Sequence, residues 1–487
     1  MKRIMIGAVK SGSGKTTITC GLLQCIKDRG MAPHSFKCGP DYIDPMFHET
    51  VLKIPAGNLD TFFSTKEEVQ ALFAKELKAS EIAVAEGVMG LYDGLGGIRE
   101  EGSSYHLAEC LDMPILLVVD GHGMGKSMLA VIAGFLQYDR KKLIRGVILN
   151  RVSKSFGDTI SPLIREKLGV PVLGCIPKDE KMTVPGRHLG LCTPLGRESE
   201  GLQEQLSYIG KVIEQHTDME RILQIASAAS NEVDWTKRKQ EYWKQVTCNR
   251  EELGHAYPEN RKIRIGIARD EAFCFYYQEN LHMLEMLGAE LAFFSPLHDA
   301  CLPANLHGLY LGGGYPELYA GQLSENRSMR RAVKEAIEGK MPTVAECGGF
   351  MYLHETIRTV EGDCFPLAGV IGGECHYTGK LVRFGYIELR KNQEKKAPLD
   401  HQKTSFLDGK MPIRGHEFHY FDSTDNGKDC VARKPVTGRE YTCVHMGETF
   451  FWGFPHLYYP SCPGFAAHFV NQCLCFQQKK DIIAQCK

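Results

Sequence analysis

The chain has 487 residues, of which 43% are hydrophobic and 24% charged, so it has the composition of a globular protein of about two to four domains. Its 58 Lys and Arg residues against 59 Asp and Glu residues exclude a globally basic nucleic-acid binder and an acidic disordered chain. It contains no apolar run of about 18 residues, and its first residues have the pattern of a strand rather than a signal peptide. We therefore expect a cytoplasmic protein with no membrane segment and no nucleic-acid partner.

The first part of the chain alternates apolar runs with helix-length segments. The predicted strands are residues 4–9, 82–85, 115–120, 147–150 and 172–176. The predicted helices are residues 15–29, 125–136 and 160–168. This alternation predicts a parallel sheet covered by helices on both faces, in a domain that spans residues 1–195.

A glycine-rich turn joins the first strand to the first helix, which is the context of a phosphate-binding P-loop. The loop residues are Gly12, Ser13, Gly14, Lys15, Thr16 and Thr17. Backbone N–H groups of such a turn hold phosphate oxygens, while Lys15 neutralises phosphate charge and the Thr16 hydroxyl reaches Mg²⁺. Val9 stands where the standard pattern has its first glycine.

Two acidic positions are candidates to complete a metal site with Thr16. Glu86 directly follows the strand at residues 82–85, and the carboxyl end of a parallel strand is where ligands bind in such sheets. Asp41 lies in a turn stiffened by prolines at residues 40–45. The residues alone leave open that both are ordinary turn acids.

The character of the chain changes near residue 201. Leu202, Leu206, Ile209 and Ile213 recur at helical spacing among charged residues, and a polar stretch follows them. We predict a helical connector at residues 196–261. The alternative is that these helices complete the first domain.

A second block of alternating elements predicts another α/β domain at residues 262–480. Its first predicted strands are residues 263–268, 291–294, 308–311 and 342–345. Short strands and polar turns follow over residues 365–436, and residues 450–472 have the pattern of a strand, a loop and a helix.

Cys347 follows an apolar strand and precedes two glycines, which is the sequence of a sharp strand-to-helix turn that exposes a nucleophile. We expect the helix N-terminus to lower the pKa of this thiol. The glycines at residues 312–314 are candidates for an oxyanion hole. His456 is a candidate base, and the residues alone do not separate it from His376, His416 and His419.

The other cysteines carry no such context. The 18 cysteines include no C-x-x-C pair, and the C-terminal set lacks the spacing of a metal or iron–sulfur site. That set is Cys462, Cys473, Cys475 and Cys486. We expect reduced and mostly buried thiols.

Taken together, the motifs resemble those of the cobyrinic acid a,c-diamide synthase family, the glutamine-dependent amidotransferases of cobalamin biosynthesis. The motifs that carry the resemblance are residues 36–45, 58–60, 86–94, 185–191, 268–277 and 414–420. The resemblance implies a dethiobiotin synthetase-like P-loop domain followed by a class I glutamine amidotransferase-like α/β domain. Cobyric acid synthase, a related enzyme, lacks the Pro-Asp-Tyr-Ile-Asp-Pro pattern of residues 40–45.

The resemblance also implies roles for individual residues. Cys347 would attack the side-chain amide of L-glutamine, and His456 would assist it. Tyr458 stands where most class I amidotransferases have a glutamate, so the family works with a Cys–His pair. Asp41, Glu86 and Asp93 would act at Mg²⁺ and in activating a carboxylate with ATP.

The implied reaction is the amidation of two carboxylates of cobyrinic acid. Hydrogenobyrinic acid and nickel sirohydrochlorin are alternative tetrapyrrole substrates that the residues do not exclude. A partner-regulated P-loop ATPase and a regulatory protein with an inactive glutaminase domain are alternatives of another class, and both are disfavoured by Cys347. We also expect a homodimer.

Overall fold

The computed structural model describes residues 1–77, 82–182, 199–229, 233–252, 263–393, 405–407 and 411–485. Within it the chain divides into two compact units, Met1–Tyr242 and Trp243–Lys487.

The first unit is built on a parallel sheet in the order β3-β2-β4-β1-β5-β6-β7. Its strands are β1 (Lys2–Ala8), β2 (Pro33–Cys38), β3 (Ala56–Leu59), β4 (Ile82–Glu86), β5 (Ile115–Asp120), β6 (Ile144–Asn150) and β7 (Val172–Ile176). Its helices include α1 (Lys15–Asp28), α2 (Ile43–Phe47), α3 (Lys66–Glu76), α4 (Ser104–Leu111), α5 (Ser127–Tyr138) and α6 (Lys154–Leu168). The strands are buried along nearly their whole length because helices cover both faces of the sheet.

Three more helices follow: α7 (Ser199–His216), α8 (Met219–Ser227) and α9 (Trp235–Glu252). Ile209, Ile213 and Ile222 are buried in the same core as α1 and β1. The ring of Trp235 lies 5.2 Å from the Phe73 ring and below the Arg3 guanidinium. Helices α7 and α8 and the first residue of α9 therefore pack on the first unit, whereas residues from Trp243 on belong to the second unit. The connector at residues 196–261 stays a prediction.

The second unit contains a sheet in the order β10-β8-β11-β13-β23-β22, parallel except at its β22 edge. The strands of this sheet are β8 (Ile263–Ala268), β10 (Ala289–Phe294), β11 (Gly308–Leu311), β13 (Thr343–Glu346), β22 (His445–Met446) and β23 (Phe450–Gly453). The unit also contains the short strands β9 (Phe273–Phe275), β12 (Gly313–Gly314) and β24 (His456–Leu457), which lie outside this sheet. Its helices are α10 (Gln278–Met286), α11 (Ala320–Glu325), α12 (Arg327–Glu338), α13 (Gly348–Tyr352) and α14 (Pro463–Gln485).

Between α13 and β22 the chain forms two further sheets, in the orders β15-β14-β16-β19 and β21-β20-β17-β18-β24. Their strands are β14 (His354–Arg358), β15 (Cys364–Pro366), β16 (Ile371–Tyr377), β17 (Arg383–Lys391), β18 (Ile413–His419), β19 (Phe421–Ser423), β20 (Cys430–Arg433) and β21 (Glu440–Cys443). The short strand β24 joins β18, so this sheet reaches the segment that carries His456.

The α/β fold class predicted from the alternation of elements is confirmed, because both units are built on a largely parallel sheet with helices. Strands β2 and β3 were not among the predicted strands, because β2 mixes polar with apolar residues and the four residues of β3 are short and contain a glycine and an asparagine. The predicted boundaries at 195/196 and 261/262, the motif at 185–191 and Cys486 lie outside the described residues. Within the described ranges, no helix combines the length and apolarity needed to cross a membrane.

Two glycines in helices distinguish the effect of α1–α7 packing on stability from the effect of helix propensity. A Cβ atom at Gly21 in α1 would lie 2.3 Å from Ile213 Cγ1 and 3.1 Å from Ile209 Cγ2, whereas a Cβ atom at the exposed Gly134 in α5 would meet nothing within 4 Å. We expect Gly21→Ala to lower the free energy of unfolding by about 1–3 kcal/mol. Gly134→Ala should raise it by about 0.5–1 kcal/mol because alanine favours the helix. Equal effects in urea unfolding would contradict a close α1–α7 contact.

Candidate active sites

The predicted P-loop lies between β1 and α1, at the carboxyl edge of the sheet. Gly14 has φ of +92° and immediately precedes Lys15, the first residue of α1. This backbone conformation is accessible to glycine and turns the first N–H groups of the helix toward the loop. Thr16 Oγ1 donates a hydrogen bond to Glu86 Oε1 at 2.5 Å, and Thr17 lies half-buried in the same helical turn.

Residues at the end of β6 hold the P-loop from the other side. Asn150 Nδ2 donates to Ser13 O at 2.8 Å, and Arg151 Nη2 donates to Gly12 O at 2.8 Å. Arg151 is itself fixed by Asp120, with Nε to Oδ1 at 2.9 Å. Two loop carbonyls are thereby bound on one side, which helps hold the turn in one conformation.

Lys37 lies in a cluster of carboxylates beside the P-loop. Its Nζ lies 2.7 Å from Asp44 Oδ2, 2.8 Å from Glu86 Oε1 and 3.9 Å from Asp41 Oδ2. Lys37 and Glu86 are cross-strand neighbours in the parallel β2–β4 pair. Burial lowers the pKa of Lys37, but the charges of Asp44, Glu86 and Asp41 outweigh that effect, so the net pKa is raised. Lys37 is therefore a buried, charged ammonium.

Lys15 differs from Lys37 in its charge environment. Its Nζ donates to the Met89 carbonyl oxygen, which ties the P-loop to the segment after β4. Burial, together with the positive charge of Lys37, lowers the pKa of Lys15 to about 8. A bound polyphosphate would reverse this shift because its negative charge favours the ammonium form.

Asp41 and Asp93 mainly organise loops in this structure. Asp41 Oδ1 accepts from the backbone N–H groups of Ile43 and Asp44, at 2.8 and 3.2 Å. Asp93 Oδ2 accepts from Gly90 N at 2.9 Å. The structure brings Thr16, Glu86 and Lys37 together, with Asp41 at the periphery. Direct roles of Asp41 and Asp93 in catalysis stay predictions.

The residues around Glu86 fit a magnesium ion that arrives with ATP. Among the residues that the structure describes, no set of three or more His, Cys, Asp and Glu side chains is arranged to hold a metal ion. Mg²⁺ in nucleotide sites needs only one or two protein oxygens, because phosphates and waters supply the others. The Thr16 hydroxyl and the Glu86 carboxylate are such hard oxygen donors, and they lie in contact beside the P-loop.

Lys37 and Asp44 were not predicted as site residues. Lys37 stands in a buried strand between Phe36 and Cys38, and a charged residue between two apolar ones was the available signal. In the sequence, Asp44 stands out only as part of the turn motif at residues 40–45. Asp44 pairs with Lys37 because the chain turns back into α2 after β2, and the sequence pattern does not show this turn.

Cys347 occupies the sharp turn that the sequence predicted, but its side chain is buried, so the expectation that the turn exposes it is wrong for this structure. It lies between β13 and α13 with φ of +47° and ψ of −105°, a strained conformation for a residue with a side chain. Its N–H donates to Gly453 O at 2.9 Å, which links the turn to the end of the neighbouring strand β23. Strain at such a turn is typical of a nucleophile that must project from the end of a strand.

His456 and the glycine-rich segment converge on the Cys347 turn. A Cβ atom at Gly313 would lie 2.3 Å from His456 Cε1, so the imidazole packs directly on the Gly313 backbone. A Cβ atom at Gly348 would lie 3.0 Å from Gly314 N. The turn after Cys347 and the ring of His456 therefore both contact the segment of β12, which places a candidate base and the candidate nucleophile on the same glycine-rich strand.

The other candidate histidines fall into different positions. His416 stacks on His456 with ring centroids 4.9 Å apart, and it is the partner of His456 in the β18–β24 pairing. His419 stacks on Phe454 at 4.0 Å. His376 lies in β16 of a different sheet. Packing against the glycine-rich segment favours His456 as the base.

The Cys347 thiol and the His456 ring are both uncharged in the resting site. Burial, reinforced by the charge of Glu317, raises the pKa of Cys347 well above its ordinary value. Burial also lowers the pKa of His456 to about 3, with a smaller contribution from His419. The expectation that the helix N-terminus lowers the thiol pKa is therefore wrong for this state, because desolvation outweighs a five-residue helix.

Two family models match the chain, one in each unit. Residues 4–191 match the CobQ/CobB/MinD/ParA nucleotide binding domain. Residues 264–448 match the CobB/CobQ-like glutamine amidotransferase domain. The second match includes Cys347 and ends before His456.

Several curated proteins are similar to this chain over nearly its whole length. The cobyrinate a,c-diamide synthase of Caldanaerobacter subterraneus is 36% identical over 479 residues, which are 98% of this chain and 99% of that protein. The enzyme of the same name from Listeria innocua is 38% identical, over 89% of this chain and 90% of that protein. That of Dehalococcoides mccartyi strain CBDB1 is 38% identical, over 96% of this chain and 97% of that protein.

Removing the Lys37 ammonium tests the buried charge cluster. Lys37→Met would leave the buried Asp44 and Glu86 carboxylates without their cation, so we expect it to cost about 3–5 kcal/mol of unfolding free energy. The double variant Lys37→Met with Asp44→Asn removes one of those charges and should be more stable than Lys37→Met alone. Urea unfolding of the first unit measures both, and a loss below about 1 kcal/mol for Lys37→Met would contradict the cluster.

The neutral resting state predicts the pH dependence of Cys347 alkylation without glutamine. Because its pKa is raised, the thiolate fraction and the rate with iodoacetamide should rise about tenfold per pH unit from pH 7 to beyond pH 9. Mass spectrometry of the Cys347 peptide gives the rate, and a free cysteine peptide, which levels off above about pH 8.5, is the control. A plateau at or below pH 8 for Cys347 would show a thiolate already formed at rest.

Proposed function

The chain belongs to the cobyrinate a,c-diamide synthase family, and from this membership we propose that it converts the a and c carboxylates of cobyrinic acid into amides, using ATP and glutamine. The observation that carries the proposal is similarity to such enzymes along the whole chain, joined to a P-loop in one unit and a nucleophile turn in the other. We place the reaction in the cytoplasm, and a homodimer stays a prediction.

In the first unit, we assign the P-loop to carboxylate activation. A carboxylate oxygen of the substrate attacks the γ-phosphorus of ATP, the bond to the β-phosphate oxygen breaks, and an acyl phosphate and ADP form. Lys15 and the loop N–H groups, with Gly12, Ser13 and Gly14, would hold the phosphates. Lys37 lies beside Glu86, where its positive charge would stabilise the transferring phosphoryl group.

Mg²⁺ bound with ATP would neutralise phosphate charge, and Thr16 and Glu86 are the residues we assign to it, with Asp41 as a further candidate. The Thr16–Glu86 contact supports this assignment, since it brings two hard oxygen donors together beside the loop.

In the second unit, we assign glutamine hydrolysis to Cys347 and His456. The Cys347 sulfur attacks the carboxamide carbon of glutamine while its proton passes to the neutral His456 ring. The C–N bond then breaks, His456 returns the proton to the leaving nitrogen, and ammonia departs from a glutamyl thioester that water hydrolyses to glutamate. An uncharged Cys347–His456 pair suits this order of steps, because charge develops only when the substrate is present.

Amide formation joins the two reactions. Ammonia attacks the carbonyl carbon of the acyl phosphate, and phosphate leaves. Phosphorylation is needed because a free carboxylate is a poor electrophile. Glutamine is needed because free ammonia is mostly ammonium near neutral pH. Two amides require two ATP and two glutamine molecules.

Anaerobic incubation with ATP, Mg²⁺ and glutamine tests the proposal, with cobyrinic acid, hydrogenobyrinic acid and nickel sirohydrochlorin in parallel. We expect two amidations of cobyrinic acid, each seen by mass spectrometry as a loss of about one mass unit when OH becomes NH₂. Amidation of another tetrapyrrole alone would change the substrate assignment. ATP hydrolysis with no amidation of any of them would favour a partner-regulated ATPase.

Two variants separate the reactions of the two units. Cys347→Ala should abolish glutamine-dependent amidation and keep amidation driven by ammonium salts, since it removes only the ammonia source. Lys15→Ala should lower both by at least about a hundredfold, because carboxylate activation fails. Loss of both activities in a folded Cys347→Ala protein would contradict a separate ammonia source. Substantial amidation by Lys15→Ala would contradict the P-loop assignment.

A further inference from the structure

A buried carboxyl group, that of Glu346, lies between the nucleophile strand and the segment that carries the base. Glu346 is the last residue of β13, immediately before Cys347, and it is 1% exposed. Its Oε2 accepts from Leu457 N at 3.4 Å, and its Oε1 accepts from the Tyr459 hydroxyl at 3.2 Å. Leu457 directly follows His456, so this side chain contacts the backbone on the C-terminal side of the base.

The same short segment is held from a second side by Asn280 of α10. Asn280 Nδ2 donates to Leu457 O at 2.8 Å, and Asn280 Oδ1 accepts from Tyr459 N at 2.8 Å. On a third side, Tyr458 N donates to Arg414 O at 2.9 Å, where β24 pairs with β18. Only Glu346 among these groups is adjacent in sequence to the nucleophile.

We propose that Glu346 is a positioning residue of the glutaminase site, which fixes the backbone after His456 relative to Cys347. The inference rests on the proposed function of Cys347 and His456. It accounts for Tyr458, which stands where most class I amidotransferases have a glutamate. The orienting carboxyl group comes instead from the strand that carries the nucleophile, and it acts on the backbone of the base segment.

Two buried polar groups beside Glu346 explain why this position needs a side chain that forms hydrogen bonds. A buried N–H at Leu457 and a buried hydroxyl at Tyr459 both need partners. Burial raises the pKa of Glu346 to about 8. In its protonated form the carboxyl group can donate to the Tyr459 oxygen and still accept from Leu457 N. Glutamine can reproduce this pattern of one donor and one acceptor, and methionine cannot.

The test compares Glu346→Met with Glu346→Gln in the full-length protein. Both side chains are unbranched and close to glutamate in size, so they differ mainly in hydrogen bonding. We expect Glu346→Met to lower kcat for glutamine hydrolysis by about 10- to 100-fold with KM changed by less than about threefold. Ammonia-dependent amidation should stay within about twofold of wild type, because carboxylate activation does not use this site. Glu346→Gln should restore kcat to within about fivefold of wild type.

Tyr459→Phe is a second, milder variant, which keeps the test decisive if Glu346→Met does not fold. It removes one partner of Glu346, and we expect kcat to fall by about three- to tenfold with KM unchanged. Wild-type kcat in Glu346→Met, or in Tyr459→Phe where Glu346→Met is unfolded, would overturn the proposal. So would equal losses in Glu346→Met and Glu346→Gln, or a parallel loss of ammonia-dependent amidation. If the wild-type protein itself hydrolyses no glutamine, the proposed function fails rather than this inference.

Discussion

Both units depend on one constraint, the burial of parallel strands on two faces. A polar side chain in the middle of such a strand would have to give up water without compensation, so chemistry is confined to the ends of strands. Glu86 ends β4, Glu346 ends β13, and Lys37 is the penultimate residue of β2. The sites of both units are therefore built from the last residues of strands and from the turns that follow them.

The two units accommodate buried polar groups in opposite ways. The first unit sets the Lys37 ammonium against the Asp44 and Glu86 carboxylates, so this cluster carries more negative than positive charge and suits a cation such as the Mg²⁺ that we assign to Thr16 and Glu86. The second unit keeps Cys347 and His456 uncharged, which suits the neutral amide of glutamine. The resting charge of each site thus suits one of the groups that we assign to it.

Features that depend on local sequence were the ones that could be predicted. The P-loop and the Cys347 turn are marked by neighbouring glycines, and the α/β class follows from alternating apolar runs. Lys37 pairs with Glu86, 49 residues further along the chain, and only the strand register brings them together. The same holds for Glu346 and Tyr459, which are 113 residues apart. Helical spacing identified α7 as a helix but carried no information on what it packs against.

The protonated state of Cys347 has a consequence for the chemical durability of the protein. Oxidation of a cysteine by peroxide proceeds through the thiolate and requires access to it. Cys301 and Cys364 are exposed, whereas Cys347 is 6% exposed and holds its proton. Oxidants that reach the protein therefore consume peripheral thiols before the nucleophile. In the reaction that we propose, the sulfur loses its proton only as it attacks glutamine, so it would be most vulnerable only while substrate covers it.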